Sequence, residues 1–199
     1  HLSVGEIVEQ VIRARRQSTP RRVSNIVFMG MGEPLANYDR TWQAVERVNH
    51  DLGIGARHIT ISTVGIVPGI ERLADEALPV NLAVSLHAAN DRDRNALVPI
   101  NTRYPLADLA AACRRYLEAK NRRLSFEWAL IDGVNDRLSD ADELATYALS
   151  LRAHVNLIPL NPTPGYLTRG TPLDRGTDID AACGQLRTSR RVIDPPRRR

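Results

Sequence analysis

The sequence predicts an α/β fold, a single parallel sheet of βα units curling toward a barrel, and three patterns carry that expectation. Short apolar runs near 23–29, 58–63, 80–86, 124–131 and 154–160 alternate with helical stretches near 39–51, 68–77, 105–120 and 139–152. Such alternation specifies βα units joined by right-handed crossovers. The strand runs also have one greasy side and one polar side. Leu82, Val84 and Leu86 oppose Asn81, Ala83, Ser85 and His87; Ile59 and Ile61 oppose Thr60 and Ser62; Phe126, Trp128 and Leu130 oppose Ser125, Glu127 and Ala129. A doubly wound sheet would bury both faces in aliphatics, so a barrel with helices outside and a polar interior is favoured. Finally, residues with chemistry recur where successive strands end, the rim on which barrel sites are built.

Taken in order, Ser3-Val4-Gly5-Glu6 is a capping box that starts a helix carrying Ile7, Val8, Val11 and Ile12 on one side. The run Asn25-Ile26-Val27-Phe28-Met29 then meets Gly30, Gly32, Glu33 and Pro34. A buried strand bounded by turn signals ends there in a tight bend. Glycine admits backbone angles closed to other residues, and proline forbids a continued strand. Glu33 is thereby aimed above the sheet, where it either meets a ligand or simply holds the loop. Ser62-Thr63 and Ser85-Leu86-His87 close the next two strands, and Asn161-Pro162-Thr163-Pro164-Gly165-Tyr166 follows the last. Each has a plain structural reading, as strand-terminal hydroxyls, a buried histidine or ordinary turn chemistry. Their recurrence at one end of the strands is what marks a site.

The chain opens on a helix with no strand before it, and the stretch after Tyr166 is rich in Gly, Arg and Pro. A closed barrel needs at least one more strand, so part of a domain is expected.

Composition sets outer bounds. With 199 residues and a formal charge of +4, the chain suits one modestly basic domain or a large piece of one. Every Lys or Arg position except Lys120 is arginine, a residue suited to bidentate phosphate contact, although a general arginine bias gives the same count. Two cysteines, Cys113 and Cys183, make neither a disulfide framework nor a four-thiolate metal site. No apolar run approaches a membrane span and no signal peptide opens the chain, so a reducing, cytoplasmic setting is expected. No His, Asp, Glu or Cys set has metal-ligand spacing, and no phosphate-binding glycine loop occurs. Cys113 follows Ala110-Ala111-Ala112 on an amphipathic helix and reads as packing. Cys183 precedes Gly184 outside any clear period, where a loop thiol and a structural one are equally consistent.

Six ordered segments carry a resemblance. They are Met29-Gly30-Met31-Gly32-Glu33-Pro34-Leu35, Ile61-Ser62-Thr63, Val84-Ser85-Leu86-His87-Ala88, Val98-Pro99-Ile100-Asn101, Asn156-Leu157-Ile158-Pro159-Leu160-Asn161-Pro162 and Ala182-Cys183-Gly184-Gln185-Leu186. In this order the chain closely resembles the radical SAM adenine-C2 RNA methyltransferases, which act on 23S ribosomal RNA and tRNA. The resemblance implies a partial (βα)6 radical SAM barrel over 1–186, truncated at the N-terminus and missing an element near the C-terminus, followed by a basic disordered tail over 187–199. It implies that Gly32, Glu33, Ser62, Ser85, Leu86, His87 and Asn161 contact S-adenosylmethionine, and that Cys183 is methylated as a covalent intermediate. A second S-adenosylmethionine, bound to a [4Fe-4S] cluster, would yield the radical that activates the methyl group. Adenine C2 is too poor a nucleophile for ordinary methyl transfer, so a cofactor must supply the hard chemistry.

In the family, the cluster cysteines lie upstream of the segment matching Leu2–Val11. About twenty residues, a helix plus a strand at ordinary sizes, are missing here between Asp174 and Arg175. The same resemblance implies an electron donor such as flavodoxin, a monomer and no membrane partner. Alternatives at this point are the adenine-C8 enzyme of the same superfamily, a catalytically silent RNA-binding remnant with its arginine tail, and an unrelated barrel binding a phosphorylated metabolite.

Overall fold

The computed structural model describes residues 1–160 together with 170 and 171. It opens on α1 (Val4–Ser18), where the predicted capping box forms. Ser3 Oγ accepts from the Glu6 amide at 3.3 Å, and Glu6 Oε2 accepts from the Ser3 amide at 2.8 Å. Five strands follow, β1 (Ile26–Phe28), β2 (Ile59–Thr63), β3 (Asn81–Ser85), β4 (Leu124–Leu130) and β5 (His154–Pro159). Helices α2 (Tyr38–His50), α3 (Val67–Asp75), α4 (Asp91–Leu97), α5 (Leu106–Lys120) and α6 (Leu138–Ser150) lie between them.

All strand pairs are parallel, and their order in the sheet is the order of the chain, β1 to β5. A doubly wound sheet must reverse direction at some point. A sheet that always adds its next strand on the same side is singly wound, and right-handed crossovers then place the helices on one face. This is the partial barrel expected from the strand patterns.

Register turns those patterns into two continuous faces. Ile26 pairs with Ile59, Ile61 with Leu82, Val84 with Phe126 and Trp128 with Leu157. Of these, Ile59, Ile61, Leu82, Val84, Phe126 and Trp128 are almost fully buried in the main core with Val45, Leu73, Leu109 and Tyr116 of the helices. On the other face Ser62 pairs with Ala83, Ala83 with Ser125, Ser85 with Glu127, and Glu127 with Asn156. Near the middle Ser62, Ala83 and Glu127 are covered, whereas Val27 and Asn156 toward the edges are exposed. A trough of this kind suits a sheet that curls around its polar side.

Two features escaped the hydrophobic period. The α4 segment Asp-Arg-Asp-Arg-Asn-Ala-Leu has too little apolar content to register as a stripe, and it is started by the Asn90 side chain accepting from the Asp93 amide at 2.9 Å. Short 3-10 turns lie at Pro34–Asn37, Ala56–His58 and Pro99–Thr102; the first and third open on proline, and Glu33 caps the first. The first of these turns sits so close to α3 that a Cβ on Gly69 would lie 2.8 Å from Leu35 Cβ. Glycine is what lets the two elements approach.

Candidate functional site

In a parallel sheet every carboxyl end lies on the same edge, so the turns after β1, β2, β3 and β4 are neighbours. The first of these turns contains Gly32 at φ +95°, a conformation that a side chain would strain. It delivers Glu33 to the edge. The Glu33 carboxylate accepts from the Leu35 amide through Oε1 at 3.0 Å and from the Val64 amide through Oε2 at 2.8 Å. One bond caps the 3-10 turn and the other ties the β1 turn to the end of β2. The loop-holding role is therefore real, and it fixes the carboxylate in place.

Ser62 and Ser85 lie on the polar face near the ends of β2 and β3. Among the described residues neither hydroxyl has a hydrogen-bond partner, so both can donate to and accept from a guest. The backbone at these two strand ends is held from behind by Arg94 of α4, which is fully buried. Its guanidinium donates to the carbonyls of Val64 at 2.8 Å, Ser85 at 3.3 Å and Leu86 at 3.2 Å, and to Asn101 Oδ1 at 2.7 Å. Asn101 in turn donates to Asp91 Oδ1 at 2.8 Å. Burial pulls the pKa of Arg94 below its ordinary value, with Tyr147 and Asp91 opposing. The five-donor fork satisfies what would otherwise be orphaned strand-end carbonyls.

His87 follows in the left-handed region, at φ 58°. Its surroundings over-determine that conformation. Asn135 Nδ2 donates to the His87 carbonyl at 2.8 Å, and the Ala129 amide donates to His87 Nδ1 at 3.0 Å. A backbone amide only donates, so Nδ1 is unprotonated and the neutral ring carries its proton on Nε2. Burial first, and the charge of Arg94 second, hold the pKa of His87 below its ordinary 6.5. His87 is thus a neutral, oriented donor.

Leu86 is placed differently. Its side chain is buried in the helix-facing core, its amide donates to the Glu127 carbonyl, and its carbonyl accepts from Arg94 and from the Ala88 amide. It positions its neighbours and presents no side chain to the polar face. Asn161 and Cys183 lie outside the described residues, as does the tail over 187–199. Cys113 is buried in the core, and burial pushes its thiol up to about 12.

Sequence reading did not single out two residues that the structure brings to this edge. Glu127, across from Ser85, is buried and accepts from Ser125 Oγ at 3.3 Å and Asn156 Nδ2 at 2.7 Å. Asn135, also buried, clamps the end of β4 to His87 through the Ala129 carbonyl and the Ile131 amide, both at 2.8 Å. The available signal was a carboxylate on the polar side of an otherwise apolar strand, and Gly133-Val134-Asn135-Asp136 just beyond it.

A singly wound parallel sheet with free hydroxyls and an oriented histidine at its carboxyl edge defines a partial (βα)-barrel domain. The family model for the radical SAM superfamily matches residues 1–145, and the chain belongs to that superfamily. A probable dual-specificity RNA methyltransferase RlmN of Chloroflexus aurantiacus is 50% identical over 222 aligned positions, covering 94% of this chain and 59% of that protein. RlmN 1 of Myxococcus xanthus is 47% identical, covering 95% and 60%. Both alignments are longer than 199 positions, so these relatives carry segments without a counterpart here. A radical SAM methyltransferase from Sphaerobacter thermophilus superposes with a TM-score of 0.87 at 49% identity, over 90% of this chain and 54% of that one. Streptococcus suis SuiB, at 15% identity and a TM-score of 0.66, shares the fold. The chain spans a little over half the length of the relatives it matches.

Proposed function

We propose that this chain is the barrel portion of an RNA methyltransferase that acts on C2 of adenine in 23S rRNA and tRNA. The observation that carries the reading is the set of uncommitted polar groups on one edge of a radical SAM sheet. Ser62 and Ser85 offer hydroxyls, His87 offers Nε2–H, and Glu33 keeps spare lone pairs on both oxygens. These groups fit S-adenosylmethionine, whose amino, carboxylate and ribose groups need both donors and acceptors. When bound, S-adenosylmethionine supplies the methyl group.

The chain's part is to orient it. Glu33 faces the cationic end, Ser62 and Ser85 fix polar groups along the trough, and His87 donates from a ring that stays neutral. Gly32, Leu86 (through its backbone) and Asn161 complete the set, and Cys183 is the nucleophile that receives the methyl group before the RNA does. A [4Fe-4S] cluster needs several thiolates. Of the two cysteines, Cys113 is sealed in the core and Cys183 is already assigned as methyl carrier. These residues therefore do not hold a cluster. An electron donor such as flavodoxin, a monomeric state and a cytoplasmic location belong to the same proposal. Among the described residues no helix is long and apolar enough to cross a membrane.

Calorimetric titration with S-adenosylmethionine tests the site without turnover. Ser62→Ala with Ser85→Ala should weaken binding at least tenfold while leaving the circular dichroism spectrum unchanged. Unaltered affinity would remove these residues from the site. Mass spectrometry of adenosine from rRNA and tRNA in cells expressing a full-length enzyme that contains this barrel, or its Cys183→Ala variant, then reads the reaction. The reading requires 2-methyladenosine with the first and none with the second, and 8-methyladenosine would favour the C8 alternative.

A further inference from the structure

The opposite edge of the sheet carries a cleft of about 520 Å³ that the proposed reaction does not use. Its walls come from the segments leading into β1, β2, β3 and β4, so it lies at the amino ends of the strands. Arg22, Arg57 and Arg122 line it with His58, Gly53 and Gly55, and no carboxylate does. Among the described residues none of the three arginines forms an ion pair; the recorded pairs all involve other arginines. Arg57 spends only Nε, on His58 Nε2 at 3.1 Å, and that ring is spent in turn on Asn25 Oδ1 at 2.9 Å. The Arg122 Nε is buried and lacks a hydrogen-bond partner.

The amino-terminal edge of such a sheet ordinarily serves stability. Three like charges gathered without a counter-charge do not serve it, because they repel. A buried guanidinium donor without an acceptor adds a desolvation cost. Both costs vanish if an anion with several acceptor oxygens enters the cleft. Arginine forks match phosphate bidentately, and the exposed Gly53, with open space where a Cβ would be, leaves the wall accessible.

We propose that this cleft binds backbone phosphate of a polynucleotide, as an anchoring contact on the far side of the barrel from the reaction site. The proposal rests on the RNA-substrate reading and adds where else the RNA is held. Strands of this length span roughly 20 Å, a distance that a folded RNA covers easily.

Anisotropy of a fluorescein-labelled single-stranded RNA, measured on the protein across a salt series without S-adenosylmethionine, tests it. Each phosphate contact on a single strand contributes a slope of about 0.7 in log affinity against log salt. Arg22→Gln with Arg57→Gln removes two exposed side chains, so the fold should survive. The slope should fall by about 1.4 in that variant, and affinity at low salt should drop at least tenfold. Arg13→Gln, which removes an exposed arginine of α1 paired with Glu9, should change neither. An unchanged slope in the double variant, or an equal loss in the control, would overturn the proposal. So would inorganic phosphate or a glutamate-rich peptide displacing the RNA as well as unlabelled RNA does at matched charge. Because no turnover is measured, RNA anchoring and methylation can fail separately.

Discussion

Replacing Arg94 by Met should destabilise the protein by a large fraction of its folding free energy. Methionine roughly preserves the length and apolar packing of the side chain and removes every donor. Four acceptors lose their guanidinium partner, namely the carbonyls of Val64, Ser85 and Leu86 and the Asn101 side chain. Leu86 keeps a second donor in the Ala88 amide, which leaves three acceptors unsatisfied in a buried setting. At about 1–1.5 kcal/mol each, near the low end for an orphaned buried group, the loss is about 3–4.5 kcal/mol. Relief of the buried charge offsets part of this, and the lost order at the ends of β2 and β3 adds to it. Against a typical total of about 5–15 kcal/mol the change is severe. Urea unfolding followed by circular dichroism reads it, with the midpoint falling by about 1.5–2.3 M for a slope of about 2 kcal/mol per M. Arg94→Lys should recover part of the loss, since an ammonium reaches some of the same carbonyls but cannot fork. A loss below about 1 kcal/mol for Arg94→Met would refute the idea that strand-end carbonyls depend on this residue.

Three further outcomes follow from the same geometry. The His87 ring should titrate below its ordinary 6.5 in an NMR pH series. Its depressed value means the unfolded chain binds the proton more tightly, so this group's contribution is full above about 6.5 and is lost as pH falls below it; a native value at or above 6.5 would contradict the burial and the Nδ1 bond. Cys113, with its thiol raised to about 12, should resist iodoacetamide until the protein unfolds, and Cys113→Ala should cost about 1 kcal/mol through packing alone, so rapid native alkylation of the Cys113 peptide would show that the core is open there. Gly69→Ala should cost about 1–3 kcal/mol in the same urea assay, because the new methyl group meets Leu35 at 2.8 Å; a neutral or stabilising result would show that the 3-10 turn yields.

The sheet was legible because its signal is redundant. Each of β2, β3 and β4 repeats the same two-sided alternation, and the register joins those sides into one greasy face and one polar face. The capping box at Ser3 and Glu6 was legible because it is entirely local. What the sequence hid is what depends on distant partners. Arg94 sits in a run of charged residues that reads as a solvated surface, yet it is buried among carbonyls from two strand ends. Asn135 looks like a turn residue, yet it clamps β4 to His87 across 48 residues. Leu86 shows the converse. Family resemblance places it among ligand contacts; its side chain belongs to the helix-facing core, so a contact there would come from its backbone near the edge.

Glu33 shows why a structural role and a binding role need not compete at one residue. The sequence left open whether this carboxylate holds the loop or meets a ligand. In the structure Leu35 and Val64 each donate one amide hydrogen to it, at 3.0 and 2.8 Å, from two different turns. A carboxylate offers about four lone-pair positions, so two amides occupy half of its capacity. Those amides stabilise its charge and freeze its orientation before any guest arrives. A cationic group that binds there finds an acceptor that needs no reorganisation, the condition under which electrostatic recognition is strongest. The loop and the proposed site would therefore be made by the same two bonds. Removing the carboxylate would release the β1 turn from β2 in the same step that it removes the anion, which is why its neighbours Ser62 and Ser85, free of structural hydrogen bonds among the described residues, are the cleaner probes of ligand binding.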